Sequence, residues 1–415
     1  MTDTADVLVV GAGAAGLATA IAAGRSSPQL RVRCVDGART IGAKILVSGG
    51  SRCNVTNRVV TERDFWGGSS RVVARVLRAF PSARAVEWFA SLGVALHEEE
   101  DGKLFPDTNS SRTVLDALVR EAAAAGVHIH APARVEDIRR DAERFVVATS
   151  AGTFDSAAVV LATGGRSLPK SGSDGFGYEL ARRLGHGHVA TTPALVPLVL
   201  ASGPHASLSG VTHDAELSLR VDGRVAVTLE GALLWTHFGI SGPVALNLSR
   251  HWHRARLDGR RVEVLMNLCP GETFEAIEAW LIEHAAVRPR ARIATVLASR
   301  LPAAVADACL AACGVDRETT PAHLTREARR SIVRVLTAMP LDVTDSRGYR
   351  YAEVTAGGVP LEEIDPATMA SRVCPGLYLA GEILDVDGRL GGFNFQWAWS
   401  SGWVAGRAIA RDVQR

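Results

Sequence analysis

Lysine is scarce in this 415-residue chain: Lys44, Lys103 and Lys170 are the only three among 46 basic residues. Against so arginine-rich a background, each lysine marks a place where a slim ammonium can serve better than a planar guanidinium. Lys44 and Lys170 both fall in glycine- and serine-rich loops. Excess charge of one sign is also missing, since the formal net charge is +2. That excludes a global electrostatic case for a nucleic-acid binder. No apolar run reaches the ~18 residues that suggest a membrane-spanning helix, and no basic segment followed by an apolar stretch opens the chain. A protein of the cytoplasm, without membrane attachment, is expected. The six cysteines (Cys34, Cys53, Cys269, Cys309, Cys313 and Cys374) include no C-x-x-C pair. Cys309 and Cys313 lie one helical turn apart with no histidine beside them, so neither a disulfide framework nor a metal centre is expected.

What the chain does have is glycine in two telling places. Asp6 to Val10 is an apolar run too short for a helix, and it leads through Gly11-Ala12-Gly13-Ala14-Ala15-Gly16 into an alanine-rich segment from about Ala14 to Ala23. Strand, glycine turn and helix follow in the order that a dinucleotide site requires. Gly11 suits the tight turn, Gly13 the approach of a pyrophosphate, and Gly16 the close packing of helix on strand. Leu30 to Val35 reads as the second strand. Asp36 then stands about 20 residues after Gly16, where a carboxylate binds ribose hydroxyls and disfavours a 2′-phosphate. Near the other end, Gly381-Glu382 and Gly391-Gly392-Phe393-Asn394 precede a further helix to about Ala410. Two half-sites so far apart imply a cofactor domain that the chain leaves and re-enters, with FAD as the expected nucleotide. No second strand-glycine-helix fingerprint lies between them, so a reduced nicotinamide would visit only transiently.

Between these ends, Ile41 to Asn57 has too many Gly, Ser and Asn residues for one regular element. Helices are expected at Ser70 to Phe80, Ala83 to Leu92 and Ser111 to Ala125. Strands follow at Val127 to Ile129, Arg134 to Arg139, Phe145 to Thr149 and Ser156 to Ala162, the last ending in Thr163-Gly164-Gly165. From Pro193 the texture turns to alternation, with Asp222-Gly223 as a hairpin turn, and from Glu272 to Met339 short helices take over. The expected organisation is a discontinuous Rossmann-type α/β domain over 1–191 and 346–415. Its insert spans 192–345, β-rich to 270 and helical from 271. Tyr351 to Val354 and Leu377 to Ala380 return the chain to the first domain.

Four segments then carry a resemblance. S-G-G-S-R-C-N-V-T-N (Ser48 to Asn57), A-T-G-G-R-S-L-P-K-S-G-S-D-G-F-G-Y (Ala162 to Tyr178), T-H-F-G-I-S-G-P (Thr236 to Pro243) and the run from Gly381 to Gly402 are similar to the BaiN-like bacterial flavoproteins, also called the aminoacetone oxidase family. The resemblance spans the whole chain. It implies an FAD-dependent oxidoreductase, with NAD(P)H as a candidate transient electron donor, and an inserted β-barrel-like and helical domain. Two departures stand out. Ser51 replaces a glycine common in the family, which strains the loop if that position needs positive φ. Glu382 takes the place of an aspartate, setting its carboxylate one methylene further out.

The residues expected around the cofactor are therefore Gly11, Gly13, Ala14, Ala15, Gly16, Asp36, Gly37, Lys44, Ser48, Gly49, Gly50, Arg52, Cys53, Asn54, Val135, Ala162, Thr163, Gly164, Gly165, Gly381, Glu382, Gly391, Gly392, Phe393 and Asn394. The N-terminus of the last helix would face the part of the flavin that gains negative charge on reduction, an effect of about 0.3 to 2 kcal/mol. Arg52, Lys170 and His237 are the candidate catalytic groups, with Asp174 beside Lys170 as a further proton donor, because a hydride delivered to an activated double bond needs a matching proton. Each also has a purely structural reading. A small organic substrate in a cleft between the two domains is the expected partner. An RNA-directed enzyme is the alternative, because relatives of the resembled family have been linked to uridine reduction in ribosomal RNA, and nine arginines face four acids between Arg288 and Arg334. A non-catalytic FAD-binding module is the third reading. The oligomeric state is open.

Overall fold

A computed structural model describes residues 2–141 and 143–413. The chain forms two compact units, one from 1–193 with 352–415 and the other from 194–351. In the first, the strand Thr2–Val10 lies at the centre of a seven-stranded sheet. It pairs in parallel with Val32–Val35 on one side and Gly152–Leu161 on the other, and His128–His130 extends the Val32–Val35 side. The opposite edge of Gly152–Leu161 is shared. Its first half pairs antiparallel with Arg144–Thr149, and its second half pairs parallel with Leu377–Leu379 from the far end of the chain. The central strand is buried on both faces, which is why it reads as an unbroken apolar run.

The helix Ala14–Ser26 covers one face of this sheet and Phe393–Asp412 packs on that helix. Small residues permit the approach: a Cβ on Gly402 would lie 2.6 Å from the Ala15 carbonyl oxygen, and one on Gly406 2.3 Å from that of Thr19. Trp397 and Trp399 are buried beside this seam and donate through their indole N–H groups to Gly381 O (3.1 Å) and Val55 O (2.8 Å). They are packing residues with satisfied polar atoms.

Two segments take a more definite form than the sequence indicates. The segment from Ile41 to Asn57 contains the helical stretch Ala43–Ser51, regular over 43–47 before the left-handed residues begin. The return strand is Val354–Gly358, three residues later than the apolar run around Tyr351 suggests. Nearby, the buried His186 bonds Glu363 Oε2 through Nδ1 (2.7 Å) and Ser371 Oγ through Nε2 (2.8 Å). The order is that of a hydrolase triad. The Ser371 hydroxyl, however, already accepts from Val373 N (3.0 Å) and Cys374 N (2.8 Å), so the trio works as a clasp between segments.

The second unit has its own core around Trp235, Leu217 and Met266. Its seven-stranded sheet runs in the order Met339–Leu341, Val262–Asn267, Thr212–Val221, Arg224–Thr236, Gly239–Ser241, Leu198–Leu200, Val343–Ser346. The two edge strands are separated in the chain by Asp342 alone, so the sheet must curl until its edges meet. That is the barrel-like form, and it leaves little edge for another chain to pair with. Helices from Pro243–Leu257 to Arg326–Ala338 pack on it.

Candidate cofactor site

Four loops converge beyond the carboxyl ends of the parallel strands, where open α/β sheets bind their ligands. In the first, Gly11 has φ +103° and a Cβ there would meet the Ala162 carbonyl oxygen at 2.5 Å, so the first loop and the Ala162–Gly165 loop lie against each other. A Cβ on Gly16 would lie 1.8 Å from the Gly11 oxygen. Gly13 differs, because no atom lies within 4 Å of a Cβ built there. Its backbone faces open space at the start of a helix whose first N–H groups lack intrahelical partners, a place an anion fits. Asp36 closes the far side. Its carboxylate accepts from Ala12 N (2.7 Å) and Ala38 N (2.8 Å), keeping lone pairs for hydroxyl donors.

The second loop is the Ser48-to-Asn57 segment. Gly49, Gly50, Ser51 and Cys53 all have positive φ, from +54° to +68°. Ser51 at +68° therefore occupies a conformation that suits glycine, and the loop carries strain there. Its second half docks on the C-terminal helix. Asn57 Nδ2 donates to Gly391 O (3.1 Å) and Thr56 Oγ1 to Gln396 Oε1 (2.6 Å). The Asn54 carboxamide, oriented to satisfy its partners, accepts from Gly392 N (3.1 Å) and donates to Thr56 O (2.9 Å). Cys53 is buried, and burial pushes its thiol up to about 12, so it is neither a thiolate nor a ready redox group.

The third and fourth loops meet in a charged knot. Lys44 Nζ bonds Glu382 Oε2 (2.5 Å) and Ser167 Oγ (2.8 Å), and Ser167 Oγ also bonds Glu382 Oε1 (2.9 Å). The same Oε1 accepts from Thr355 N (2.9 Å), while Thr355 Oγ1 accepts from Arg166 N (2.8 Å) and Ser167 N (3.1 Å). A Cβ on Gly165 would lie 2.4 Å from Thr355 Oγ1. Glu382 is thus committed to holding four segments together. Gly381 packs on the first helix, where an added Cβ would meet the Ala15 methyl at 2.7 Å.

Of the remaining site residues, Val135 is buried in its strand and Gly37 lies beside Arg134. Arg52 forms an ion pair with Glu99 (2.6 Å) and its guanidinium lies 4.1 Å above the Phe105 ring. The Arg52 hydrogen bond holds the Glu99 carboxyl below the usual carboxylate range. Lys170 is exposed on the short turn Pro169–Ser171, and Asp174 is paired with Arg134 (2.6 Å). His237 belongs to the second unit, is exposed, and stands edge-on to Phe238 at 5.1 Å. Sequence reasoning assigned no role to Thr355 or Glu353. The only available signal was an acid and a threonine around the start of the glycine-ended strand that returns the chain to the first unit.

The loops therefore fit an extended dinucleotide: open backbone at Gly13, a carboxylate at Asp36, and a second glycine loop opening a helix at Gly391-Gly392. The chain matches the family described as "HI0933-like protein Rossmann domain" over residues 5–408. It is 34% identical over 403 residues to a 3-dehydro-bile acid delta(4,6)-reductase of Clostridium scindens, covering 97% of this chain and 98% of the relative. It is 33% identical over 408 residues to a ribosomal RNA dihydrouridine synthase of Escherichia coli, covering 98% of each. Among solved structures, an open form of a flavocytochrome c3 fumarate reductase superposes with a TM-score of 0.52 at 17% identity, covering 100% of this chain and 79% of the other. That likeness shows the fold. With both glycine loops in place and similarity along nearly its whole length, the chain belongs to the HI0933-like, BaiN-like family of FAD-dependent oxidoreductases.

Proposed function

We propose that this flavoenzyme reduces a carbon–carbon double bond conjugated to a carbonyl in a small or mid-sized organic substrate. The observation that carries the reading is whole-length similarity to a 3-dehydro-bile acid delta(4,6)-reductase. FAD, when bound, supplies the hydride chemistry. The protein's own groups do the rest. Gly13 and the first turn of Ala14–Ser26 receive the pyrophosphate, Asp36 receives ribose hydroxyls, and the Lys44–Ser167–Glu382 knot fixes the loops. The N–H groups that open Phe393–Asp412 favour negative charge on the reduced ring. Reduced nicotinamide is the proposed electron donor.

Ribosomal RNA is the second reading, favoured by the almost equal similarity to the dihydrouridine synthase. In the arginine-rich stretch, Arg292, Arg300, Arg317, Arg329 and Arg330 are paired with Glu318, Glu272, Asp307 and Glu278. That neutralises over half of the nine arginines, which weakens the case for a phosphate grip and places the small-molecule reading first.

The deciding experiment is anaerobic. NADH or NADPH is added to the yellow enzyme and loss of flavin absorbance is followed, after which a panel of α,β-unsaturated ketones and a ribosomal RNA fragment compete to restore it. Reoxidation by the ketones supports the proposal. Reoxidation by RNA alone, with an affinity that falls by several log units per log unit of salt, replaces it with the second reading.

A further inference from the structure

The surroundings of Asp36 come from two distant parts of the chain. On one side, Asp36 N donates to His130 O (3.0 Å), Ala133 N donates to Asp36 O (2.6 Å), and a Cβ on Gly37 would lie 3.2 Å from the Arg134 Cβ. Arg134 therefore flanks the carboxylate assigned to the ribose hydroxyls. On the other side stands the loop after Gly164-Gly165. A Cβ on Gly164 would lie 2.6 Å from Ser173 Oγ, and one on Gly177 would collide with Thr163 Oγ1, so residues 173–177 rest directly on the Ala162–Gly165 turn.

One side-chain contact joins these two walls. Arg134 donates through Nη2 to Asp174 Oδ2 (2.6 Å), and its guanidinium lies 5.3 Å from the centre of the Phe176 ring. Both ends are fixed by backbone. Arg134 N donates to Ser150 Oγ (3.0 Å) and Ser150 N to Arg134 O (2.8 Å), which pins the arginine main chain, while Asp174 Oδ1 accepts from Phe176 N (3.0 Å), which sets the orientation of the carboxylate. A second guanidinium near the same ring, that of Arg183 at 5.9 Å, is engaged by Glu179 (2.9 Å) and Asp137 (3.6 Å). The joining pair itself is open to water, with side chains 50% and 36% exposed. It can therefore part at little cost. A guanidinium also suits the place chemically, because its flat face can stack on an aromatic ring while its edge donates to a carboxylate.

We propose that the Arg134–Asp174 pair is a latch on the adenosine half of FAD, closed while the cofactor is held and opened when it exchanges. The assignment rests on the ribose placement at Asp36 proposed above and is independent of the substrate. Closing ties the two walls together and sets a planar cation beside the adenine. Opening moves two surface side chains and breaks no core contact. The lifetime of the bound cofactor is then governed by a half-exposed ion pair that salt screens, and not by the Lys44–Ser167–Glu382 knot alone.

The test uses the FAD-loaded protein, diluted so that released flavin regains its fluorescence. Asp174→Asn and Arg134→Gln should each speed release about 3- to 10-fold. The double variant should release no faster than either single one, because the two groups act as a unit, and the exchanged pair Arg134→Asp with Asp174→Arg should recover most of the wild-type rate. Salt at about 0.5 M should bring wild-type release towards that of the variants. ADP, which carries the adenosine half without the flavin, should raise the melting temperature of flavin-stripped wild type more than that of the stripped variants. Unchanged release in both single variants, or equal protection by ADP, overturns the latch. So does a stripped Asp174→Asn protein that melts well below stripped wild type, since the pair would then be a clasp of the fold. Any of these beside a weakened Asp36→Ala protein leaves the ribose placement standing, whereas wild-type FAD affinity in Asp36→Ala removes both.

Discussion

Gly13 and Gly16 stand three residues apart in one motif, and valine at either position should damage the protein in opposite ways. At Gly13 the backbone is extended, with φ −86° and ψ −168°, and nothing lies within 4 Å of an added Cβ. Valine is therefore tolerated by the fold, and its methyl groups enter only the space that the pyrophosphate needs. Displacing the phosphates from two N–H donors removes charge-assisted hydrogen bonds of ~1.5 kcal/mol each. The sum is ~3 kcal/mol, or about 10²-fold in Kd. At Gly16 the added Cβ falls 1.8 Å from a backbone carbonyl oxygen that cannot swing aside. Helix and strand must separate, at the upper end of the ~1–3 kcal/mol typical of overpacking. The assay pairs the flavin-to-protein absorbance ratio of the purified variants with urea denaturation of each after its flavin is stripped. Gly13→Val should lose flavin and keep the denaturation midpoint of stripped wild type, whereas Gly16→Val should lose both. A Gly13→Val protein that retains flavin at wild-type affinity would refute the placement of the pyrophosphate.

Asp36→Ala should weaken FAD binding roughly tenfold, through lost ribose hydrogen bonds of ~1–1.5 kcal/mol, and also loosen the first loop, because Asp36 Oδ2 holds Ala12 N; equilibrium dialysis reads the affinity, and an unchanged value makes Asp36 a strand-end residue only. Ser51→Gly should stabilise the protein by about 0.5–1 kcal/mol, since glycine relieves a left-handed strain of ~1–2 kcal/mol against a larger unfolded-state entropy; a lower denaturation midpoint would show that φ here is not positive in solution. Cys53, pushed up to about 12 by burial, should resist iodoacetamide at pH 8 in the native protein and label only on unfolding, with peptide mass spectrometry as the check.

How much of this was legible in the residues depended on the range of the interaction. The first strand, its glycine turn and its helix are local objects, and a short apolar run, a glycine spacing and an alanine-rich stretch specify them without help. The small-residue face of the last helix is likewise readable, since Gly402 and Gly406 at a four-residue spacing can serve little but close packing. The Lys44–Ser167–Glu382 knot was not readable. Its members are separated by over a hundred residues, and no periodicity links an ammonium in one loop to a carboxylate near the other end. The sequence places Glu382 towards the cofactor, and the fold adds that its carboxylate also engages Lys44, Ser167 and Thr355.

The helix Ala14–Ser26 leaves the ribosome long before its packing partner Phe393–Asp412, which lies more than 360 residues further along the chain. At bacterial synthesis rates of ~5–20 residues per second, the gap is about 20 to 80 s. Throughout that interval the grooves at Ala15 and Thr19 stay open, waiting for Gly402 and Gly406, while the second unit can close its curled sheet and settle on its own core. Nascent chains of this architecture should therefore lean on holding chaperones through the amino-terminal unit and not through the insert. Flavin capture then acts as a completion signal, because a chain stalled before Gly391 possesses the phosphate loop but lacks the helix that finishes the site.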